Sequence, residues 1–346
     1  PKRLRVLDLG DLKFYESFPM EVLLLVHLRH LALCKTRSIP AAIDNLSRLE
    51  TLTVNGPYLQ IVLPDTIWNI KTLSNLSIEP HGTKDHTHGF IFRVGNLEVY
   101  PNLDHLNTLN LVIDSSSKSL QKLLTKLPSI RSLKCAGRSN PFKAAKNCDE
   151  ILQFDCLSQL ESLHLIRLRA YGFKFPLNLK KLVLSWIRQP WTEISKIGKL
   201  PNLEVLKLLN YSFVGEEWVM KEGEFPNLRV LELLELGIRN WTASSDSLSR
   251  LEKLVVHSCP YLEKVPSCLG ECETLEMIEV KWCRMSVVNS IKQIQQEQMD
   301  MGNEDLKIVL EGRYEYDTSI SSEAESIPSE AGEISSERES ISSHHT

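Results

Sequence analysis

The chain has 346 residues, 42% hydrophobic and 24% charged, an ordinary balance for a folded, water-facing protein. Its formal charge of −4 is unevenly placed: from Arg313 to Thr346 eight acids face two arginines, a net of −6, which leaves the remainder at +2. A body so close to neutral gives no ground for nucleic acid as a partner, and the lack of about 18 consecutive apolar residues excludes a membrane-spanning helix.

Taken in order, the sequence opens at Pro1-Lys2-Arg3-Leu4 directly on a repeated unit and reads as a piece of a longer polypeptide. The frame L-x-x-L-x-L occurs first as Leu4, Leu7 and Leu9, then as Leu28-Leu31-Leu33, Leu49-Leu52-Val54 and Leu73-Leu76-Ile78. It continues as Leu106-Leu109-Leu111, Ile130-Leu133-Cys135, Leu160-Leu163-Leu165 and Leu179-Leu182-Leu184. The last four are Leu203-Leu206-Leu208, Leu228-Leu231-Leu233, Leu251-Leu254-Val256 and Leu275-Ile278-Val280. Successive starts lie 24, 21, 24, 33, 24, 30, 19, 24, 25, 23 and 24 residues apart, a regularity that chance does not produce.

The second and third apolar positions of the frame are two residues apart, so in a strand both point to one face. One unit cannot bury that face alone, whereas stacked units can. The pattern is that of a leucine-rich repeat and predicts an α/β solenoid: a horseshoe with a parallel sheet on its concave side and irregular or short helical segments on its convex side. Proline recurs just before the strand, in Leu200-Pro201-Asn202-Leu203, Phe225-Pro226-Asn227-Leu228 and Leu127-Pro128-Ser129-Ile130, where its missing N–H lies outside the ladder.

Two units are longer than the rest. One carries His81 to His88 and the other Gly137 to Asn147, both expected as surface loops. After Val280, residues 285–301 predict an amphipathic capping helix with Val287, Val288, Ile291 and Ile294 on one side, and Leu306 to Leu310 a terminal strand. The solenoid is thus placed at 1–312. Residues 313–346 are Ser/Glu-rich and expected to be disordered; Ser322 and Ser336 each precede a glutamate by three residues, a spacing that acidophilic kinases accept.

Nucleotide-binding loops, dinucleotide-binding glycine motifs, zinc-protease motifs and nucleophile elbows are all missing from the sequence, which points away from an enzyme. His81, His86 and His88 have a spacing open to a metal, but no cysteine or second cluster accompanies them, so no metal is expected. Of eight cysteines, Cys135, Cys259 and Cys283 fall at repeat positions that take a small buried side chain, and Cys268 and Cys272 in a convex turn; reduced structural thiols and a cytoplasmic setting follow. Asn45, Asn75, Asn210 and Asn240 begin glycosylation sequons that matter only in a secreted chain.

The concave surface is the better candidate for function. The third, fifth and seventh residues of each frame should project from it: Ser162, His164 and Ile166; Lys181, Val183 and Ser185; Val205, Lys207 and Leu209; Val230, Glu232 and Leu234; Lys253, Val255 and His257; Met277, Glu279 and Lys281. A row mixing apolar and charged side chains suits a protein partner better than phosphate. Ten of the 24 aromatics fall between Tyr171 and Trp241, where an even spread would place about five. Aromatics serve interface hot spots and convex packing alike, so both readings stand. Trp186, beside the exposed end of its strand, is the first candidate anchor.

Particular segments carry a family resemblance. Ser38-Ile39-Pro40-Ala41-Ala42-Ile43-Asp44-Asn45-Leu46-Ser47-Arg48-Leu49, Leu63-Pro64-Asp65-Thr66-Ile67-Trp68, Gly198-Lys199-Leu200-Pro201-Asn202-Leu203 and Ile278-Glu279-Val280-Lys281-Trp282-Cys283 resemble the C-terminal region of plant nucleotide-binding leucine-rich-repeat immune receptors. The similarity is to the late blight resistance protein group of the nightshade family and covers roughly residues 1–312. The resemblance implies recognition of a pathogen effector or a guarded host protein. It also implies an intramolecular contact, made by the N-terminal repeats, that restrains an upstream nucleotide-binding switch. ATP or ADP would belong to that upstream module, and no cofactor is assigned to this chain. A ubiquitin-ligase substrate receptor, with an upstream F-box, and an extracellular leucine-rich-repeat receptor, with paired capping cysteines, are the competing classes.

Overall fold

The computed structural model describes residues 3–10, 17–34, 36, 38–55, 60–79, 89–91, 103–113, 117–137 and 150–314. All of them belong to one unit, Pro1–Tyr314. Of the tail expected at 313–346, residues 313 and 314 instead continue the last strand, paired with Cys283 and Arg284. The rest of it, the histidine triplet at 81–88 and the insertion at 138–147 lie outside the described residues.

Thirteen strands hydrogen-bond side by side in the order of the sequence: Val6–Asp8, His30–Cys34, Thr51–Asn55, Asn75–Glu79, Thr108–Ile113, Ser132–Gly137, Ser162–Ile166, Lys181–Ser185, Val205–Leu209, Val230–Leu234, Lys253–His257, Met277–Arg284 and Lys307–Tyr314. All of these pairings are parallel. Sheet order equal to chain order is the signature of a solenoid, because each unit covers only its neighbours. Two short strands, Gln60–Val62 and Gly89–Ile91, pair with each other beside this ladder.

Register follows the frame. Leu163 pairs with Leu182, Leu182 with Leu206, Leu206 with Leu231, Leu231 with Leu254 and Leu254 with Ile278. These residues are fully buried and stack into one continuous core. Burial of such side chains stabilises by roughly 2 kcal/mol each. A one-residue slip would turn every leucine outward, so the alternation itself sets the register.

The Pro-Asn lead-in has a second role, beyond the one proline explains. The Asn202 side-chain amide donates to Leu177 O at 2.9 Å, and that of Asn227 to Pro201 O at 2.7 Å. Thr72 and Thr274 occupy the same place and donate to Leu49 O and Leu251 O, at 2.8 and 2.9 Å. Each side chain satisfies a carbonyl one repeat back, where no helix or ladder partner is available.

The convex side changes character along the chain. Early units, and the one after Pro266, close with short 3-10 helices: Met20–Leu24, Ala41–Asn45, Asp65–Asn69 and Ser267–Glu271. Each begins directly after a proline, whose fixed φ (−60° to −72°) starts the turn. Between residues 151 and 243 convex segments also pair as short parallel strands: Ile151–Gln153 with Gly172–Lys174, Gln189–Pro190 with Phe213–Val214, and Glu217–Met220 with Asn240–Ala243. Beside them runs a short helical segment, Trp191–Glu193 and Ile194–Gly198. The extended backbone, not expected from the sequence, holds Phe213, Trp218 and Trp241, and Trp191 joins them from the helical segment. Trp218 and Trp241 are in register and stack at 5.1 Å, and Trp191 stacks on Trp218 and Phe213 at 4.9 Å. Aromatic and β-branched residues favour strands where they pack on a pleated surface.

The helix Met285–Asp300 lies over the last convex turn, with Val287, Val288, Ile291 and Ile294 buried. Gln298 is fully buried, and its amide nitrogen lies 3.1, 2.8 and 3.0 Å from the carbonyl oxygens of Leu269, Gly270 and Cys272. Asn303 donates to its Oε1 at 2.6 Å. Gln298→Ala strands those carbonyls and is expected to lower stability by about 3 kcal/mol. An unchanged urea midpoint would show that the helix closes the stack by apolar contact alone.

Candidate functional site on the concave face

Third, fifth and seventh frame positions alternate with the core leucines and form three rows across the sheet. The fifth-position row runs His164, Val183, Lys207, Glu232, Val255, Glu279. The seventh runs Ile166, Ser185, Leu209, Leu234, His257, Lys281. Of the candidate residues, Lys181 is exposed, and Val205, Lys207, Val230, Glu232, Leu234, Lys253 and His257 are half-buried.

Four candidates are covered. Val183, Ser185, Leu209 and Val255 are only 6%, 1%, 6% and 6% exposed. Neighbouring strands lie about 4.8 Å apart, so a short side chain between longer ones loses its access to solvent. Val183 stands between His164 and Lys207, Val255 between Glu232 and Glu279, and Ser185 between Ile166 and Leu209. Leu209, in register between Ser185 and Leu234, is buried as well, though it is no shorter than they are. These four, together with Ile166, expected to project but 1% exposed, shape the floor of the face, and the projecting expectation is corrected to that extent.

The aromatic cluster divides as well. Trp218, Trp241, Phe213 and Phe225 are fully buried on the convex side, and Phe173 and Trp191 nearly so. Tyr171 and Tyr211 are exposed. Trp186 is half-buried at the end of its strand, its ring 5.4 Å from that of Tyr211 and under the Arg167 guanidinium at 5.9 Å.

A further feature escaped the strand alternation. The eighth frame position is left-handed in successive units: Arg167 (φ 52°), Trp186 (58°), Asn210 (47°), Glu235 (53°), Ser258 (52°) and Trp282 (57°). Left-handed backbone turns the chain sharply out of the strand, and each N–H reaches the following unit, as from Asn210 to Leu234 O (2.8 Å) and Glu235 to His257 O (3.0 Å). These side chains form one wall of a groove of about 770 Å³, whose floor includes Ile166, Ser185 and Leu234. Only Asn210, and Gly312 on the last strand, are residue types that signal this conformation, so the sequence barely announces it. Asn210 donates to Glu235 at 2.6 Å, a structural use for one of the sequon asparagines. Gly137 holds the eighth position of an earlier unit, and a Cβ there would lie 2.3 Å from Arg167 O, so that place takes only glycine.

A profile of leucine-rich repeat regions matches residues 2–304. The chain belongs to that family. Over 324 residues it is 34% identical to a late blight resistance protein homolog of Solanum demissum, covering 89% of this chain and 23% of that one. To a late blight resistance protein of the same species it is 32% identical over 320 residues, with 89% and 24% covered. The chain spans about a quarter of the length of these curated relatives. An internalin from Listeria monocytogenes, 13% identical with a TM-score of 0.43, covers 85% of this chain and is covered at 82%. At that score the repeat topology, not the superposition, carries the fold.

In this leucine-rich-repeat region, no helix of the described residues is long and apolar enough to cross a membrane. Its seven described cysteines are free thiols. Burial pushes Cys259 up to about 12 and Cys268 up to about 11, and raises Cys135 and Cys283 as well. Cys259 and Cys283 follow the left-handed residue and point their thiols at His257 O and Lys281 O, at 3.5 and 3.4 Å.

Charge on the later repeats is internally paired. Lys207 meets Glu232 at 2.6 Å, Lys281 bridges Glu279 and Glu311 at 3.0 and 2.9 Å, and His257 lies 3.3 Å from Glu279. Lys281, through its hydrogen bond and its charge, and then His257 and Lys253 hold the Glu279 carboxyl below its ordinary 4.5 against the opposing effect of desolvation. A depressed carboxylate contributes stability that is present above 4.5 and lost as pH falls through the folded value. Glu279→Gln is therefore expected to be less stable than wild type at pH 7 and equal to it near pH 2. Parallel urea midpoints across that range would count against the pairing.

Proposed function

We propose that this leucine-rich-repeat region is the sensor end of a plant disease resistance protein. On this reading its concave face binds a pathogen effector or a guarded host protein, and its N-terminal repeats restrain an upstream nucleotide-binding switch until that partner arrives. One-third identity with late blight resistance proteins over nearly the whole chain carries the reading. Lys181, Trp186, Lys207, Val230 and Lys253, held by rigid strands or at their ends, provide mixed charged and apolar contact. Partner binding can release the switch only if the partner favours the released form, so the partner-contacting and restraining surfaces must compete or be coupled. ATP or ADP belongs to the upstream module in this scheme, and the setting is the cytoplasm.

The test uses the full-length protein from its own transcript, expressed in leaf tissue with a panel of pathogen effectors. An effector-dependent cell-death response is expected, abolished by Lys181→Glu with Lys207→Glu and retained by Lys199→Glu. A response that survives the double variant at equal protein accumulation would move recognition off the concave face.

A further inference from the structure

Charge on the concave face is segregated along the chain. On the four strands Ser132–Gly137, Ser162–Ile166, Lys181–Ser185 and Val205–Leu209, positions three, five, seven and eight carry Lys134, His164, Arg167, Lys181 and Lys207, and no carboxylate. Acids enter these positions on the following strands, as Glu232, Glu235, Glu279 and Glu311. Three carboxylates border the basic stretch, one of them Glu204 at the second frame position of its last unit. Glu232 pairs with Lys207, at its far edge, and Glu161, at the second frame position, is held between Arg131 (2.9 Å) and Lys180 (3.3 Å). The groove along the strand ends opens beside the same stretch, with Ile166, Arg167 and Trp186 at that end and Glu235 and Glu311 farther along.

We propose that this basic stretch receives an acidic segment of a protein partner, with an aliphatic or aromatic side chain of that segment seated against the half-buried Trp186. The inference rests on the concave-face reading and adds the chemistry of what is bound. Three inter-strand gaps of about 4.8 Å give a stretch about 14 Å wide, the span of four or five extended residues. Lys134 is on the first of these strands and Lys181 on the third, two gaps or about 10 Å apart and in different rows, so carboxylates spaced along one extended segment can reach both. Arg167 lies over Trp186 at 5.9 Å, so a positive charge and an apolar ring stand side by side, an arrangement suited to a carboxylate next to an apolar residue. A nucleic-acid backbone fits less well, because its phosphates continue past four strands and would meet Glu232, Glu235 and Glu279.

The experiment selects a displayed random 12-residue peptide library against the purified chain and measures the enriched peptides by fluorescence anisotropy. Net-negative peptides are expected, weakening about tenfold or more with Lys134→Glu plus Lys181→Glu and weakening with added salt. Lys199→Glu and Lys264→Glu, on exposed sites outside the face, should leave binding unchanged. The proposal is overturned if no acidic motif is enriched, or if acidic peptides ignore the Lys134 and Lys181 changes. It is also overturned if a single-stranded RNA oligonucleotide binds more tightly with the same variant dependence. Neutral or basic peptides blocked by Val230→Glu would overturn the acidic segment and leave the concave-face reading standing. Peptides indifferent to every concave variant would remove both.

Discussion

Replacing Leu206 by aspartate is expected to unfold the repeats around it. Leu206 is the second apolar residue of its frame, fully buried, and paired in register with Leu182 on one side and Leu231 on the other. Truncating such a leucine to alanine costs about 2–5 kcal/mol. A carboxylate in the same place adds the desolvation of an unpaired charge, and no cation can reach a position enclosed by leucines of three units. The total approaches the roughly 5–15 kcal/mol that holds a domain together. Since each unit of a solenoid contacts only its neighbours, the damage should begin locally and spread outward. Limited proteolysis should cut between residues 160 and 250 in the variant before it cuts elsewhere. A digestion pattern identical to that of wild type would refute this account of the core.

Trp218→Ala should produce the next largest loss, on the opposite side of the molecule. The indole is fully buried and stacked between Trp191 (4.9 Å, 16° between planes) and Trp241 (5.1 Å, 5°), with Phe225 edge-on at 6.2 Å. Removing a buried aromatic costs about 3–5 kcal/mol, and each ring pair contributes roughly 0.5–1.5 kcal/mol beyond area burial. Neighbouring units share the stack, so the loss should loosen the paired strands Glu217–Met220 and Asn240–Ala243 together. Trp186→Ala, at a half-buried ring on the edge of the face, should cost far less. Urea midpoints of the two variants make the comparison, with near-ultraviolet circular dichroism reporting loss of the stacked rings. Equal shifts for Trp186 and Trp218 would mean that the convex stack contributes little to stability.

These two residues also mark how far the chain could be read without its fold. Leu206 was legible because the frame repeats at nearly constant spacing and strand geometry allows only one face for positions four and six. Trp218 was not, since a dense run of aromatics describes an interface and a packed convex side equally well. The concave candidates fall between these cases. Alternation correctly puts Val183, Ser185, Leu209 and Val255 in the open-face rows, yet their neighbours on adjacent strands bury them. The Pro-Asn pairs ending in Asn202 and Asn227 were visible as a pattern, but the acceptors of those asparagines lie 25 and 26 residues away.

The sequence by itself determined the repeat, the parallel stacking, the direction of each leucine and the family the segments resemble, because all of these follow from spacing or local composition within one unit. Tertiary structure decided which face residues stay accessible, where the tryptophans go, the left-handed eighth position and the grouping of Lys134, Arg167 and Lys181 on three adjacent strands. The physical reason is a difference of range. A strand's alternation is set by its own backbone, whereas exposure and charge environment are set by side chains one repeat away, brought within about 4.8 Å only when the units stack in register.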